Sequence, residues 1–215
     1  MTFKSIINLS EPKHKEFSSN EPFVTVYADP PWRFDDRSFR GAPEEVLRGK
    51  LAASGKQSRF QYPTMALEEI CALPVKDLVA KDAHIYLWVP NALINQGMQV
   101  MEAWGFKFKT LFVWVKLSKD LEPATNSGLG HYFRNCSELL FFGVRGRLRT
   151  LAPARKQMNV ILSRKERHSK KPEEMYQIIE RCSSGPYLEM FARQNRAGWT
   201  SWGNQTPEIT EVFKG

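Results

Sequence analysis

The tetrapeptide Asp29-Pro30-Pro31-Trp32 directly follows Phe23–Ala28, a β-branched and aromatic run suited to a buried strand. In open α/β sheets ligands bind beyond the carboxyl ends of the strands, so this segment occupies a candidate site. Its residue types suit one kind of chemistry. The exocyclic 6-amino group of adenine is a poor nucleophile because its lone pair is delocalised into the ring. A carboxylate such as Asp29 accepts one of its N–H groups, and the Pro30 carbonyl accepts the other, since proline keeps its acceptor. Together they favour a more tetrahedral nitrogen whose lone pair points at a methyl donor. Two prolines restrict the backbone, so the acceptors need little reorganisation. Trp32 can stack on an unpaired base, worth roughly 1–3 kcal/mol per base. Taken alone, the same four residues also make a good strand-ending turn with a core tryptophan.

The flanking sequence must position this turn. Thr64 can cap a helix with Leu67, Ile70 and Cys71 on one face, ended by Pro74. His84 to Val89 reads as a strand. Asn91 can cap a helix lined by Leu93, Gly97, Val100, Met101 and Trp104, with Gly105 as its stop. Phe108 to Lys116 and Leu139 to Val144 are apolar on both faces, as central strands covered by helices are. Met158 to Leu162 is a further strand candidate. Ser169 and Pro172 open a helix carrying Met175, Ile178, Ile179 and Cys182, closed by Gly185-Pro186. Tyr187 to Phe191 is expected to be the last strand. Strands alternating with helices imply an α/β domain with a largely parallel sheet.

The chain has 215 residues and a formal net charge of +8, which favours a polyanionic partner. The excess falls in three clusters. One holds Arg33, Arg37, Arg40, Arg48, Lys50, Lys56 and Arg59; another Arg145, Arg147, Arg149, Arg155 and Lys156; the third Arg164, Lys165, Arg167, Lys170 and Lys171. The first cluster lies in residues 33–61, a stretch long for a structureless connection and therefore a candidate functional insertion. Attached to Trp32, it reads as a mobile gate that clamps a phosphate backbone beside a flipped or single-stranded adenine. The domain is expected to run over 22–215 behind an arm of residues 1–21. No apolar run approaches a membrane span and no signal segment is evident, so a cytoplasmic location is expected. Cys71, Cys136 and Cys182 are widely spaced, which predicts reduced thiols and no metal site.

Beyond these readings the chain resembles the MT-A70 family of adenine N6-methyltransferases, and its compact bacterial and phage members in particular. The resemblance runs from about Val24 to Gln205. It passes through Asp29-Pro30-Pro31-Trp32, Tyr62-Pro63-Thr64-Met65, Leu87-Trp88-Val89, Trp104-Gly105-Phe106 and Trp114-Val115-Lys116. It continues through Gly130-His131-Tyr132, Arg134-Asn135, Glu138, His168-Ser169-Lys170-Lys171-Pro172, Glu189-Met190-Phe191-Ala192-Arg193 and Gly203-Asn204-Gln205.

The resemblance implies a Rossmann-like α/β methyltransferase sheet with permuted motif order and helices on both faces. It implies S-adenosylmethionine (SAM) as cofactor. Asp29 and Lys116 would hold the amino-acid end of the cofactor, a carboxylate facing its ammonium and an ammonium its carboxylate. Phe191 would pack on its adenine, while Arg193, Asn195, Asn204 and Gln205 would reach the nucleoside. Ala192 stands where the family carries glycine, and Gln194-Asn195-Arg196 departs from the family's pattern. Lys170 and Lys171, near a helix start, could receive a phosphate, as could Arg33, Arg37 and Arg40.

The expected substrate is DNA, by analogy with the compact members, with a homodimer as the expected assembly. RNA as the methylated polymer, a catalytically silent nucleic-acid-binding partner, and an enzyme acting on a small molecule or a protein amide are the alternatives.

Overall fold

The structure is a computed structural model of the chain and describes residues 21–34, 64–124, 133, 135–164 and 171–203. The expected N-terminal arm and nearly all of the basic insertion lie outside the described residues.

Seven strands form one sheet: β1 (Phe23–Ala28), β2 (Val79–Val89), β3 (Lys107–Leu117), β4 (Ser137–Arg145), β5 (Val160–Arg164), β6 (Tyr187–Met190) and β7 (Trp199–Trp202). Their order is β5-β3-β4-β2-β1-β6-β7. Only β4 runs antiparallel to its neighbours. The helices are α1 (Leu67–Cys71), α2 (Val75–Leu78), α3 (Ile94–Ala103) and α4 (Glu174–Cys182).

Alternation along the central strands explains the layering. In β2, Ala83, Ile85, Leu87 and Val89 point to one side and pack with Ile70, Val100, Met101 and Trp104 from α1, α3 and the turn after it. Tyr86 and Trp88 point to the other side and pack with Met175, Ile178, Ile179 and Cys182 of α4. A strand buried on both faces must be apolar over its covered length, as residues 83–89 of β2 and 140–143 of β4 largely are, whereas β3 buries Phe112 and Trp114 on one face. The polar exceptions are paired. His84 and Tyr86 both bond the Ser183 hydroxyl, at 2.7 and 2.8 Å.

Several local expectations shift. The N-terminal cap of α1 is Ala66, whose N–H donates to Glu69 at 2.6 Å, rather than Thr64. Asn91 opens a short 3-10 turn before α3 instead of capping it. Gly105 does stop α3, with φ +83°, a conformation open to glycine at little cost. Tyr187–Met190 is not the last strand: β7 follows and pairs with β6 in parallel. Four residues between Gly198 and Gly203 carry too little periodic pattern to signal a strand by themselves.

The topology has one consequence for the site. β1, near the beginning, and β6, near the end, are parallel neighbours with Tyr27 opposite Glu189 and Ala28 opposite Met190. Asp29 and Phe191 therefore emerge at the same sheet edge.

Trp104 is fully buried and its Nε1 donates to the Ile70 carbonyl at 2.9 Å, tying α3 to α1. Trp104→Ala is expected to cost about 3–5 kcal/mol, read as a lower urea midpoint.

Candidate active site

The turn after β1 is held by tryptophan. The Trp32 N–H donates to the Pro30 carbonyl at 2.8 Å, and Met65 N–H donates to the Pro31 carbonyl at 2.8 Å. The Trp32 indole is 6% exposed, and its Nε1 donates to the Trp88 carbonyl at 2.9 Å. Trp32 is therefore a core anchor rather than the stacking platform expected from sequence. Its ring has apolar partners in the core and its one polar atom is satisfied there. Pro30 is buried, and its carbonyl, already bonded once, retains a single further lone pair.

Beside this turn stands a chain of alternating charges. The Lys171 ammonium lies 3.0 Å from Asp29 Oδ1 and 3.0 Å from Glu138 Oε2. The other Glu138 oxygen pairs with Lys116. Lys171 also sits 5.0 Å from the Trp88 ring centroid, and Lys116 5.1 Å from that of Trp114. The negative faces of two aromatic rings thus line a site with two cations. Trp88 is fixed in turn by its Nε1, which donates to the Tyr27 hydroxyl at 2.8 Å.

Lys116, expected at the amino-acid end of the cofactor, pairs with Glu138. Lys171, which from sequence could receive a phosphate, is the lysine beside Asp29, its side chain 18% exposed and held by two carboxylates. Glu138, a family-like residue to which the sequence assigns no role, lies between the two lysines. Its position at the N-terminal end of β4, opposite Trp114, brings it to the edge where β1 ends.

The ionisation of the cluster follows from this geometry. Burial raises the Asp29 carboxyl above its ordinary value; Lys171 opposes that rise, Glu138 adds to it, and Arg193 opposes it. Glu138 is also raised by burial, but Lys171 and Lys116 together bring it below the usual glutamate value. Burial would lower the Lys171 ammonium, and the two carboxylates overcome it and hold it above the usual lysine value. The carboxylate with two cations goes down and the one with a share of a single cation goes up.

The neighbouring edge belongs to β6 and β7. Phe191, directly after β6, takes φ +63°, in the left-handed region. For a residue with a Cβ this costs roughly 1–2 kcal/mol. Phe191 is half-buried and meets Trp202 edge-on, centroids 5.3 Å apart. Ala192 N–H donates to the Trp202 carbonyl at 2.9 Å. A Cβ on Gly203 would lie 2.2 Å from the Ala192 carbonyl oxygen, so the chain passes there only as glycine. Ala192 itself is accommodated, buried in place of the family's glycine. Arg193 and Asn195 are exposed beyond this edge.

Arg196, given no role from sequence, stacks 3.7 Å over Tyr176 and pairs with Glu173. Tyr176 donates to Glu189 Oε1 at 2.7 Å, while Glu189 Oε2 is buried with no hydrogen-bond partner. Burial raises the Glu189 carboxyl, against the Tyr176 bond and Arg196 and with help from Asp29.

Arg33 is exposed beside the turn. Arg37, Arg40, Lys170, Asn204 and Gln205 lie outside the described residues. Cys71, Cys136 and Cys182 are free thiols. Among the described residues no His, Cys, Asp and Glu group could hold a metal, and no helix is long and apolar enough to cross a membrane.

A mixed seven-stranded sheet, helices on both faces and a charged edge at the strand ends define a Rossmann-like methyltransferase architecture. The MT-A70 family pattern matches residues 23–205, and the chain belongs to that family of SAM-dependent adenine N6-methyltransferases. It is similar to the Type II methyltransferase M.MunI of a Mycoplasma species, 28% identical over 86% of this chain and 78% of the relative. It is 29% identical to the N(6)-adenosine-methyltransferase MT-A70-like protein of Arabidopsis thaliana, over 90% of this chain and 25% of that protein. It is 25% identical to the human N(6)-adenosine-methyltransferase catalytic subunit METTL3, over 89% of this chain and 31% of that protein. The chain thus spans about a quarter to a third of the plant and human relatives.

A carboxyl held above its ordinary value costs stability whenever it is ionised. The cost is present above its folded pKa and vanishes below its unfolded one. Asp29→Asn is therefore expected to raise the thermal midpoint at neutral pH, with the gain shrinking to nothing below about pH 4. Differential scanning fluorimetry across that range checks it.

Proposed function

We propose that the domain transfers a methyl group to the 6-amino nitrogen of adenine in DNA. The observation that carries this reading is the Asp29–Lys171 pair, 3.0 Å apart at the edge where β1 and β6 end together. An adjacent anion and cation match the two charges of an amino-acid zwitterion, so the residues present fit the amino-acid end of SAM. In this reading Lys171 faces the cofactor carboxylate, and Asp29 faces its ammonium and the target amine. Phe191, Arg193 and Asn195, with Asn204 and Gln205, serve the nucleoside end.

When bound, SAM supplies an electrophilic methyl group. The protein's part is electrostatic and positional. Ionised Asp29 accepts an N–H of the target amine and stabilises the positive charge that develops on nitrogen. The Pro30 carbonyl offers its remaining lone pair to the second N–H. Trp32, bonded to the Trp88 carbonyl, prevents the turn from relaxing. Phe34, 42% exposed two residues beyond Trp32, takes over as the aromatic that can meet a base, with Arg33 beside it for a phosphate.

The similarity to the Type II methyltransferase M.MunI supports DNA as the polymer, and the N(6)-adenosine-methyltransferase relatives make RNA the alternative. Isotopically labelled SAM, matched DNA and RNA oligonucleotides and nucleoside mass analysis test the proposal. Labelled N6-methyladenine is expected in DNA, with Asp29→Ala slowing transfer by about 10²–10³-fold. Label only in RNA moves the substrate class. No label in either polymer, with SAM binding intact, rejects the reading.

A further inference from the structure

We propose that Glu138 is a positioning residue that sets the charge state of Asp29 by dividing Lys171 with it. The inference deepens the role given to Asp29 above and rests on that reading for its functional meaning.

The geometry is a competition for one cation. Lys171 stands at the same 3.0 Å from Asp29 Oδ1 and from Glu138 Oε2. Neither carboxylate has it alone. Glu138 is not dependent on Lys171, since its other oxygen pairs with Lys116. The lysine cannot easily move toward one partner, because its ammonium lies over the Trp88 ring. That ring is fixed by the Tyr27 hydroxyl. Among the described residues the ion-paired chain therefore runs Asp29, Lys171, Glu138, Lys116, with Arg193 acting on Asp29 from beyond β6.

Other charges facing Asp29 are Arg193, beyond β6, which favours its ionised form. Glu189, on β6, and Tyr27, on β1, interact with it in the opposite sense. None of these contacts Lys171 in the described structure, so Glu138 is the group whose change acts on Asp29 both directly and through the shared cation.

The chemical use is a balance. Asp29 must be ionised to accept an amine N–H, but a carboxylate neutralised completely by its own lysine is a weaker acceptor. Dividing the lysine keeps Asp29 basic while Lys116 keeps Glu138 charged.

The arrangement predicts opposite effects at its two ends. Glu138→Gln keeps the shape, removes the competing anion and leaves Lys171 wholly to Asp29, so Asp29 titrates lower. Lys116→Met leaves Glu138 with Lys171 alone, so Glu138 draws on that cation more and Asp29 titrates higher. The experiment is a carboxyl ¹³C NMR titration of the full chain without cofactor. The Asp29 signal is assigned by its loss in Asp29→Asn. SAM affinity is then measured calorimetrically over the same pH range.

Expected are Asp29 midpoints displaced down in Glu138→Gln and up in Lys116→Met, with the acid limb of SAM affinity displaced likewise. An Asp29 midpoint unchanged in both variants, or moved the same way in both, overturns the inference. If the midpoints move as expected and SAM affinity does not follow, the inference stands and the cofactor role of Asp29 fails instead. A variant that unfolds shows it in its amide spectrum, and the other variant still decides by the sign of its shift.

Discussion

The charged edge at the strand ends depends on one cation shared between two carboxylates. Asp29 follows β1 and Glu138 lies on β4, with β2 between them, and both are half-buried. Two half-buried anions at such a spacing repel, and without a counter-charge one would be pushed toward its neutral form. Lys171, delivered by the segment before α4, joins them. The ion pairing is coupled to the packing, because the indole faces of Trp88 and Trp114 lie beneath the lysines. Those indoles also belong to the core on the α4 side.

Rigidity of the turn follows from the same aromatic layer. The Tyr27 hydroxyl holds Trp88 and the Trp88 carbonyl holds Trp32. Trp32 in turn closes the backbone over Pro30. Each link satisfies a polar atom that burial would otherwise leave costly. A Trp32 indole placed for stacking on substrate would forfeit the bond to Trp88 and loosen the acceptors.

Chain order matters less to the site than strand order. The turn after β1 and the left-handed Phe191 after β6 are more than 150 positions apart in sequence and adjacent in the sheet. β7 and Gly203 complete the edge by close backbone approach to Ala192. A strained φ at Phe191 persists because the Trp202 carbonyl and the Gly203 passage hold the next residue in place.

Much was legible from residues alone. Asp29-Pro30-Pro31-Trp32 after an apolar run marked the turn that ends β1. The two-sided apolar run of β4 announced a covered central strand, and Gly105 marked a helix end. These are local properties, carried by period and by backbone chemistry. What stayed illegible was pairing. Lys116 stands after a tryptophan-valine pair, and nothing in its neighbours along the chain shows that it pairs with Glu138. Lys171 looks like a surface lysine in a basic run, yet it lies between two carboxylates. Trp32 looked free to stack, and β7 was too short to show a period. Periodicity reports that a face is buried but not what buries it. Which charge meets which is decided by strand order and register, and these exist only when the chain has folded.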